Sequence, residues 1–130
     1  MKTIQDLVNE RLHINQNTST EQVDITDPNN WVPGDILVGK YTYGKTNYHK
    51  GTKIIRFYKI ISKKDTKLNL VELKKNILKG DKKNGICEPN LDVELEKDSA
   101  KIQGNYSPVT SDSFVLKYWN KNPIEYYKDL

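Results

Sequence analysis

The chain has 130 residues, of which 35% are hydrophobic and 29% are charged, and its formal net charge is +4. This length suits one domain whose core needs neither a disulfide nor a metal. The single cysteine, Cys87, excludes an intramolecular disulfide and favours a reducing compartment. No signal peptide is predicted, and no stretch approaches the roughly 18 apolar residues of a membrane span. The composition therefore indicates a soluble intracellular protein.

Residues 1–30 are predicted to form a short N-terminal helix and a polar linker. Thr3 is a suitable helix cap. Apolar residues then recur at helical spacing, at Ile4, Leu7, Val8 and Leu12. A β domain is expected from residue 31 to residue 130, and the two parts together form one globular domain.

From Trp31 onward the apolar pattern is typical of β-strands. Strands are predicted at 36–43, 54–62, 67–75, 91–96 and 113–119, with a short sixth candidate at 100–103. Because no helical pattern separates them, we expect an antiparallel fold. The predicted fold class is mainly β, a small barrel or sandwich of five or six strands with one short helix, and the alternative is α+β.

Two of these segments carry more specific predictions. Both faces of 54–62 are largely apolar, which indicates a central strand. Leu91, Val93 and Leu95 alternate with acidic residues, which predicts a half-buried strand with an acidic outer face. Residues 80–89 are polar and are predicted to form a loop.

Charge is distributed unevenly along the chain. Residues 40–83 contain 14 basic and 3 acidic residues, whereas the remainder contains 7 basic and 14 acidic residues. Cations that follow a phosphate backbone, together with rings on which bases stack, are what single-stranded nucleic acid binding requires. A nucleic-acid-binding basic patch is therefore predicted at Lys40, Tyr41, Tyr43, Lys45, Tyr48, Lys50, Lys53, Arg56, Lys59, Lys63 and Lys64.

Other interpretations of the same charges stay open. Only Arg11 and Arg56 are arginine among the 21 basic residues, so A/T-rich codon usage explains part of the lysine excess. Lysines also protect sheet edges from aggregation. Finally, basic and acidic segments can attract each other, either between two copies of the chain in a homodimer or between neighbouring strands of one copy.

The sequence predicts neither a catalytic centre nor a metal site. His13, His49 and Cys87 are too few and too scattered for a structural zinc site of about four ligands. Nothing orients a base next to Cys87, and the acidic residues of 91–96 are most simply the solvated side of a strand. We therefore expect no enzymatic activity, cofactor or metal, and we infer no membrane association and no small-molecule substrate.

Four short motifs follow one another between residues 31 and 127. They are Pro33-Gly34-Asp35-Ile36, Tyr43-Gly44-x-Thr46-Asn47, Phe57-Tyr58-Lys59-Ile60-Ile61, and Trp119 followed by Asn122-Pro123-x-Glu125-Tyr126. In this order the motifs resemble a small uncharacterised domain of tailed phages and other large DNA viruses, although the loop between Asn47 and Phe57 is longer here. The resemblance implies a viral protein without a known activity. It implies a location in the cytoplasm or nucleus of the infected host cell, with packaging in the virion left open.

The leading prediction is thus a non-enzymatic viral protein that forms a homodimer and binds DNA or RNA through a cationic β face. An acidic protein is the next partner in order of expectation. The competing prediction is a virion or interaction protein that associates with itself through complementary basic and acidic faces.

Overall fold

The computed structural model describes residues 23–129, and these contain six β-strands and one turn of 3-10 helix at Pro28–Asn30. The strands are β1 (Ile36–Tyr43), β2 (Gly51–Lys64), β3 (Lys67–Gly80), β4 (Gly85–Lys101), β5 (Val115–Tyr118) and β6 (Ile124–Asp129). The predicted mainly β fold class is therefore confirmed. The predicted N-terminal helix lies outside the described residues. Within them, no helix has the length and apolar character needed to cross a membrane.

All six strands belong to one antiparallel sheet in the order β3-β4-β6-β2-β1-β5, and β2 also pairs with β3. The β2 strand is central, as predicted, because β1, β3 and β6 all pair with it. The pairings from β2 through β3, β4 and β6 return to β2. However, β6 contributes only three residue pairs to each neighbour. The sheet therefore curls onto itself at one end without closing as a barrel.

Two apolar clusters lie on opposite faces of β2, because successive side chains of a strand point to opposite sides. Tyr58 packs in the first cluster together with Trp31. Phe57 packs in the second cluster, and the ring of Trp119 lies 6.1 Å from its ring in an edge-to-face arrangement. This confirms that both faces of the predicted central strand are buried.

The predicted loop at 80–89 is wrong for most of its length. A short turn follows Gly80, and β4 already begins at Gly85. Gly80 has a φ of +94°, a conformation that residues with a side chain rarely adopt, so the chain can reverse tightly here. Cys87 is consequently a buried residue of β4 and not a loop residue.

Leu91, Val93 and Leu95 lie on a strand as predicted, but the expected half-burial is wrong. Their exposed fractions are 54%, 38% and 48%, and every residue from 91 to 97 is exposed. In this stretch only Glu94 and Lys97 are in register with β3, and no other described strand covers it. The short strand expected at 100–103 is the end of β4, which stops at Lys101.

Candidate functional site

The structure divides the predicted nucleic-acid contacts of β1 and β2 between opposite faces of the sheet. Lys40 pairs with Ile55, so Lys40 and Lys53 lie on the face of the second cluster. Tyr41 pairs with Ile54 and lies on the opposite face with Arg56. The predicted basic patch is therefore not one continuous surface.

Arg56 is bound within the protein. Its Nη1 lies 3.1 Å from Oδ2 of Asp112, and its guanidinium lies 4.4 Å from the centre of the Phe114 ring. The Tyr41 ring packs 5.8 Å from the same phenylalanine ring and 5.5 Å from the Tyr43 ring. Arg56 and Tyr41 therefore belong to a packed assembly on the first-cluster face.

Two further predicted cations are also held internally. Lys59 Nζ lies 2.7 Å from Oε2 of Glu94, so one cation of the basic segment is paired with the acidic part of β4 within one copy. Lys63 Nζ donates to the carbonyl oxygens of Asn29 at 2.6 Å and Trp31 at 3.2 Å.

The remaining predicted residues lie at the two ends of β2. Lys45, Tyr48 and Lys50 belong to the exposed connection between β1 and β2, where Tyr48 is 92% exposed. The Nζ of Lys50 lies 4.4 Å from the centre of the Tyr127 ring. Lys64 ends β2 at the opposite end of that strand.

Two neighbouring cavities beside the start of β2 share Lys53 and Ile55 as lining residues, and we call them together the lysine groove. It consists of a wide chamber of about 500 Å³ and a narrow arm of about 170 Å³, and both are lined by Lys53 and Ile55. The eight lysines that line the groove are Lys40, Lys53, Lys74, Lys75, Lys82, Lys83, Lys117 and Lys128. Within residues 23–129, no carboxylate lines the groove or lies within ion-pairing distance of these lysines.

Lys74 and Lys75 of β3 both line the chamber, beside an irregularity in the β3–β4 pairing. Consecutive residues of a regular strand would point to opposite faces. Between the pairs Leu73–Glu94 and Lys75–Pro89, β4 contains more residues than β3, so the regular pairing is interrupted beside the two lysines. The chamber therefore receives two adjacent lysines from one strand.

The β3–β4 turn supplies two more lysines and is held in place by its own hydrogen bonds. Oδ1 of Asp81 accepts the backbone N–H groups of Lys83 at 2.7 Å and Asn84 at 3.0 Å. These two bonds lower the pKa of Asp81. The Tyr126 hydroxyl donates to the Asp81 carbonyl oxygen and so fastens the turn to β6.

Thr52 is the most buried polar residue that lines the chamber. Its side chain is on the second residue of β2, and the residue is only 2% exposed. Within the described part of the chain, its Oγ1 is buried and has no hydrogen-bond partner. Native structures rarely leave such a group unsatisfied, although no surface of this oxygen is open to the chamber in this structure.

Cys87 lies at the apolar floor of the chamber beside Ile55. Burial raises the pKa of its thiol, while the charges of Lys75 and Lys53 act in the opposite direction. Burial is the larger of these effects, so the thiol ionises less readily than that of a free cysteine.

Sequence reasoning found only part of this groove. It selected Lys40, Lys53 and Tyr43, all of which line it. Four missed lysines (Lys74, Lys75, Lys82 and Lys83) lie inside the basic segment 40–83, so the charge count was a usable signal for them. Lys117 and Lys128 come from the net acidic remainder of the chain, and no local pattern distinguishes them.

The described residues contain no group of histidine, cysteine, aspartate and glutamate side chains arranged to hold a metal. His49 is exposed in the β1–β2 connection, and His13 lies outside the described residues. In comparisons with protein-family models, curated proteins and solved structures, nothing matches this chain.

Proposed function

We propose that the protein binds single-stranded nucleic acid along the lysine groove, without a catalytic step. The observation that carries this proposal is a pair of cavities that share Lys53 and Ile55 and are lined by eight lysines and, in residues 23–129, by no carboxylate. A row of cations neutralises successive phosphates, and Tyr43 and Tyr127 add rings at the chamber on which bases can stack. A single strand fits better than a duplex because its bases are free to enter a groove.

The proposed interface differs from the cationic β face expected from the sequence. It keeps Lys40, Lys53 and Tyr43 but excludes Arg56 and Lys59, whose charges are paired within the chain. The viral context and the location in an infected cell stay predictions from the resemblance of the motifs.

The first test compares two double variants that remove the same charge. Lys74→Gln/Lys75→Gln changes the chamber, whereas Lys67→Gln/Lys101→Gln changes two exposed lysines that pair across β3 and β4 outside the groove. Fluorescence anisotropy with a labelled single-stranded oligonucleotide is measured over a series of salt concentrations. Each lysine–phosphate contact releases counterions when the complex forms. Because the chamber variant loses two such contacts, we expect the magnitude of the slope of log K against log salt to fall by roughly 1.4. The control variant should leave the slope near that of the unmodified protein.

Two results of this experiment would contradict the proposal. One is the absence of binding to DNA and RNA at low salt. The other is an equal loss in both variants, since that would show attraction by net charge without a defined site.

Self-association is a second candidate function, favoured by the exposed part of β4. Leu91 and Val93 are exposed apolar residues on a strand that pairs on one side, and acidic residues alternate with them. Such an edge is suited to contact another copy. The Lys59–Glu94 ion pair already uses part of the acidic charge, so the apolar residues are the main attraction.

A further inference from the structure

We propose that the wide chamber holds one nucleoside phosphate, with its phosphates among the lysines and its base against the apolar wall. The inference rests on the proposed function, because the same lysines would follow the bound strand. It adds that the chamber recognises a single nucleotide unit, whether that unit is free or part of a strand.

The volume of the chamber suits a nucleotide. Small-molecule sites are usually clefts of about 300–1,000 Å³. The chamber, at about 500 Å³, lies within this range, whereas the arm, at about 170 Å³, lies below it. The groove therefore has one place with room for a base and sugar, and one place that suits a backbone alone.

The side chains that line the chamber suit both the phosphates and the base of a nucleotide. Six lysines line the chamber, which suits several phosphate charges. Its other walls are apolar or aromatic and include Ile55, Ile77, Leu95 and Tyr43. An inorganic anion gains nothing from apolar walls. A nucleotide has anionic phosphates and also a flat base that can pack against such walls.

The hydroxyl of Thr52 is a buried polar group that a bound nucleotide could partner. Oγ1 is shielded in the free protein, so a ligand atom would reach it only when binding shifts the residues around it, and it would then satisfy a group that has no partner in the described part of the chain. A ribose, a phosphate or a base each carries such an atom. We therefore assign Thr52 as a residue that contacts the nucleotide and contributes to specificity.

The test is isothermal titration of the full chain with ATP, with inorganic tripolyphosphate and with adenosine, in low salt and without divalent cations. Stacking of a base on aromatic rings predicts that ATP binds about tenfold more tightly than tripolyphosphate. Adenosine should bind weakly, since it lacks the phosphates. Equal affinities for ATP and tripolyphosphate would overturn the inference, because the chamber would then attract any polyanion.

Thr52→Val separates a ligand contact from a structural role. Valine has the same branched shape, so removing a buried unpartnered hydroxyl should raise the Tm of the free protein. The affinity for ATP should fall about fivefold, as expected for one lost hydrogen bond. Unchanged ATP affinity would contradict the assignment of Thr52.

The matched control is Thr110→Val. Thr110 is also a buried threonine, but its Oγ1 accepts the backbone N–H of Phe114 at 3.1 Å. Its replacement should lower the Tm and leave ATP affinity unchanged.

Competition with the labelled oligonucleotide distinguishes the two proposals. Displacement of the oligonucleotide by ATP supports both. Oligonucleotide binding without any binding of ATP would overturn the nucleotide chamber and leave the strand-binding function standing. ATP binding without oligonucleotide binding would support the chamber and overturn strand binding.

Discussion

At the residue scale, the same type of charge has different roles at neighbouring positions of β2. Arg56 is tied to Asp112 and Phe114 on one face. Lys53 lies on the other face and lines both parts of the lysine groove. The alternation of a strand separates the two cations, although they are only three positions apart in the sequence.

This separation predicts opposite phenotypes for Arg56→Met and Lys53→Met. Losing the ion pair and the cation–π contact of Arg56 should lower the free energy of unfolding by about 1 kcal/mol, because exposed contacts of both kinds are weak. Its oligonucleotide affinity should stay unchanged. Lys53→Met should weaken oligonucleotide binding and barely alter stability. Urea unfolding and fluorescence anisotropy measure the two effects, and a loss of affinity in Arg56→Met would contradict the assignment of faces.

At the element scale, departures from regular geometry shape the site more than the strands do. Lys74 and Lys75 both line the chamber where the β3–β4 pairing is irregular, and the short turn before Gly85 presents two further lysines. Gly85 is required there, because a Cβ on it would clash with the backbone carbonyl oxygen of Lys79 and would lie 2.6 Å from the Tyr126 hydroxyl. The close pairing of the strands at this turn therefore depends on this glycine.

The turn carries a prediction about pH. The backbone N–H groups of Asn84 and Lys83 lower the pKa of Asp81 in the folded protein. The contribution of this carboxylate is therefore present above its unfolded pKa of about 3.9 and is lost as the pH falls through its lower folded pKa. The amide ¹H shifts of Lys83 and Asn84, followed by NMR, should titrate with an apparent pKa below about 3.9.

Asp81→Ala is the control for this titration. The same two amide shifts should then show no titration in this range, and oligonucleotide affinity should fall because the two lysines lose their fixed position. An amide titration at or above the ordinary aspartate pKa would contradict the hydrogen-bonded turn.

At the scale of the whole molecule, the cations of the basic segment are divided between internal ion pairs and the lysine groove. The acidic residues of β4 alternate with exposed Leu91 and Val93, and Leu95 of the same strand lines the chamber. A chain that exposes an apolar strand edge tends to cover it with a partner. Self-association through Leu91 and Val93 would therefore bury a surface next to the lysine groove.

For self-association, the informative variants are Leu91→Lys and Val93→Lys, with Ile61→Lys as the control. Ile61 is a similarly exposed strand residue on β2, 44% accessible to solvent. Sedimentation equilibrium should show a dimer for the unmodified protein and the control, and a monomer for both β4 variants. A strict monomer for the unmodified protein at high concentration would rule out this candidate.

The fold could be predicted further than the site. Apolar alternation located β1 residue by residue and identified β2 as the central strand, since local pattern and local structure coincide there. It failed at 80–89, where polar composition concealed the start of β4. It also failed for the burial of Leu91, because a strand pattern does not reveal whether another layer covers it.

The sequence by itself determined a mainly β chain, an uneven charge distribution and the identity of the cations available for binding. Only the tertiary structure decided which cations act together. Arg56 and Lys59 are neutralised by partners brought from distant segments, whereas Lys117 and Lys128 join the groove because β5 and β6 deliver them to it. The physical reason is that strand pairing is non-local: it sets which face and which neighbours each side chain meets, and no local pattern of residues encodes that choice.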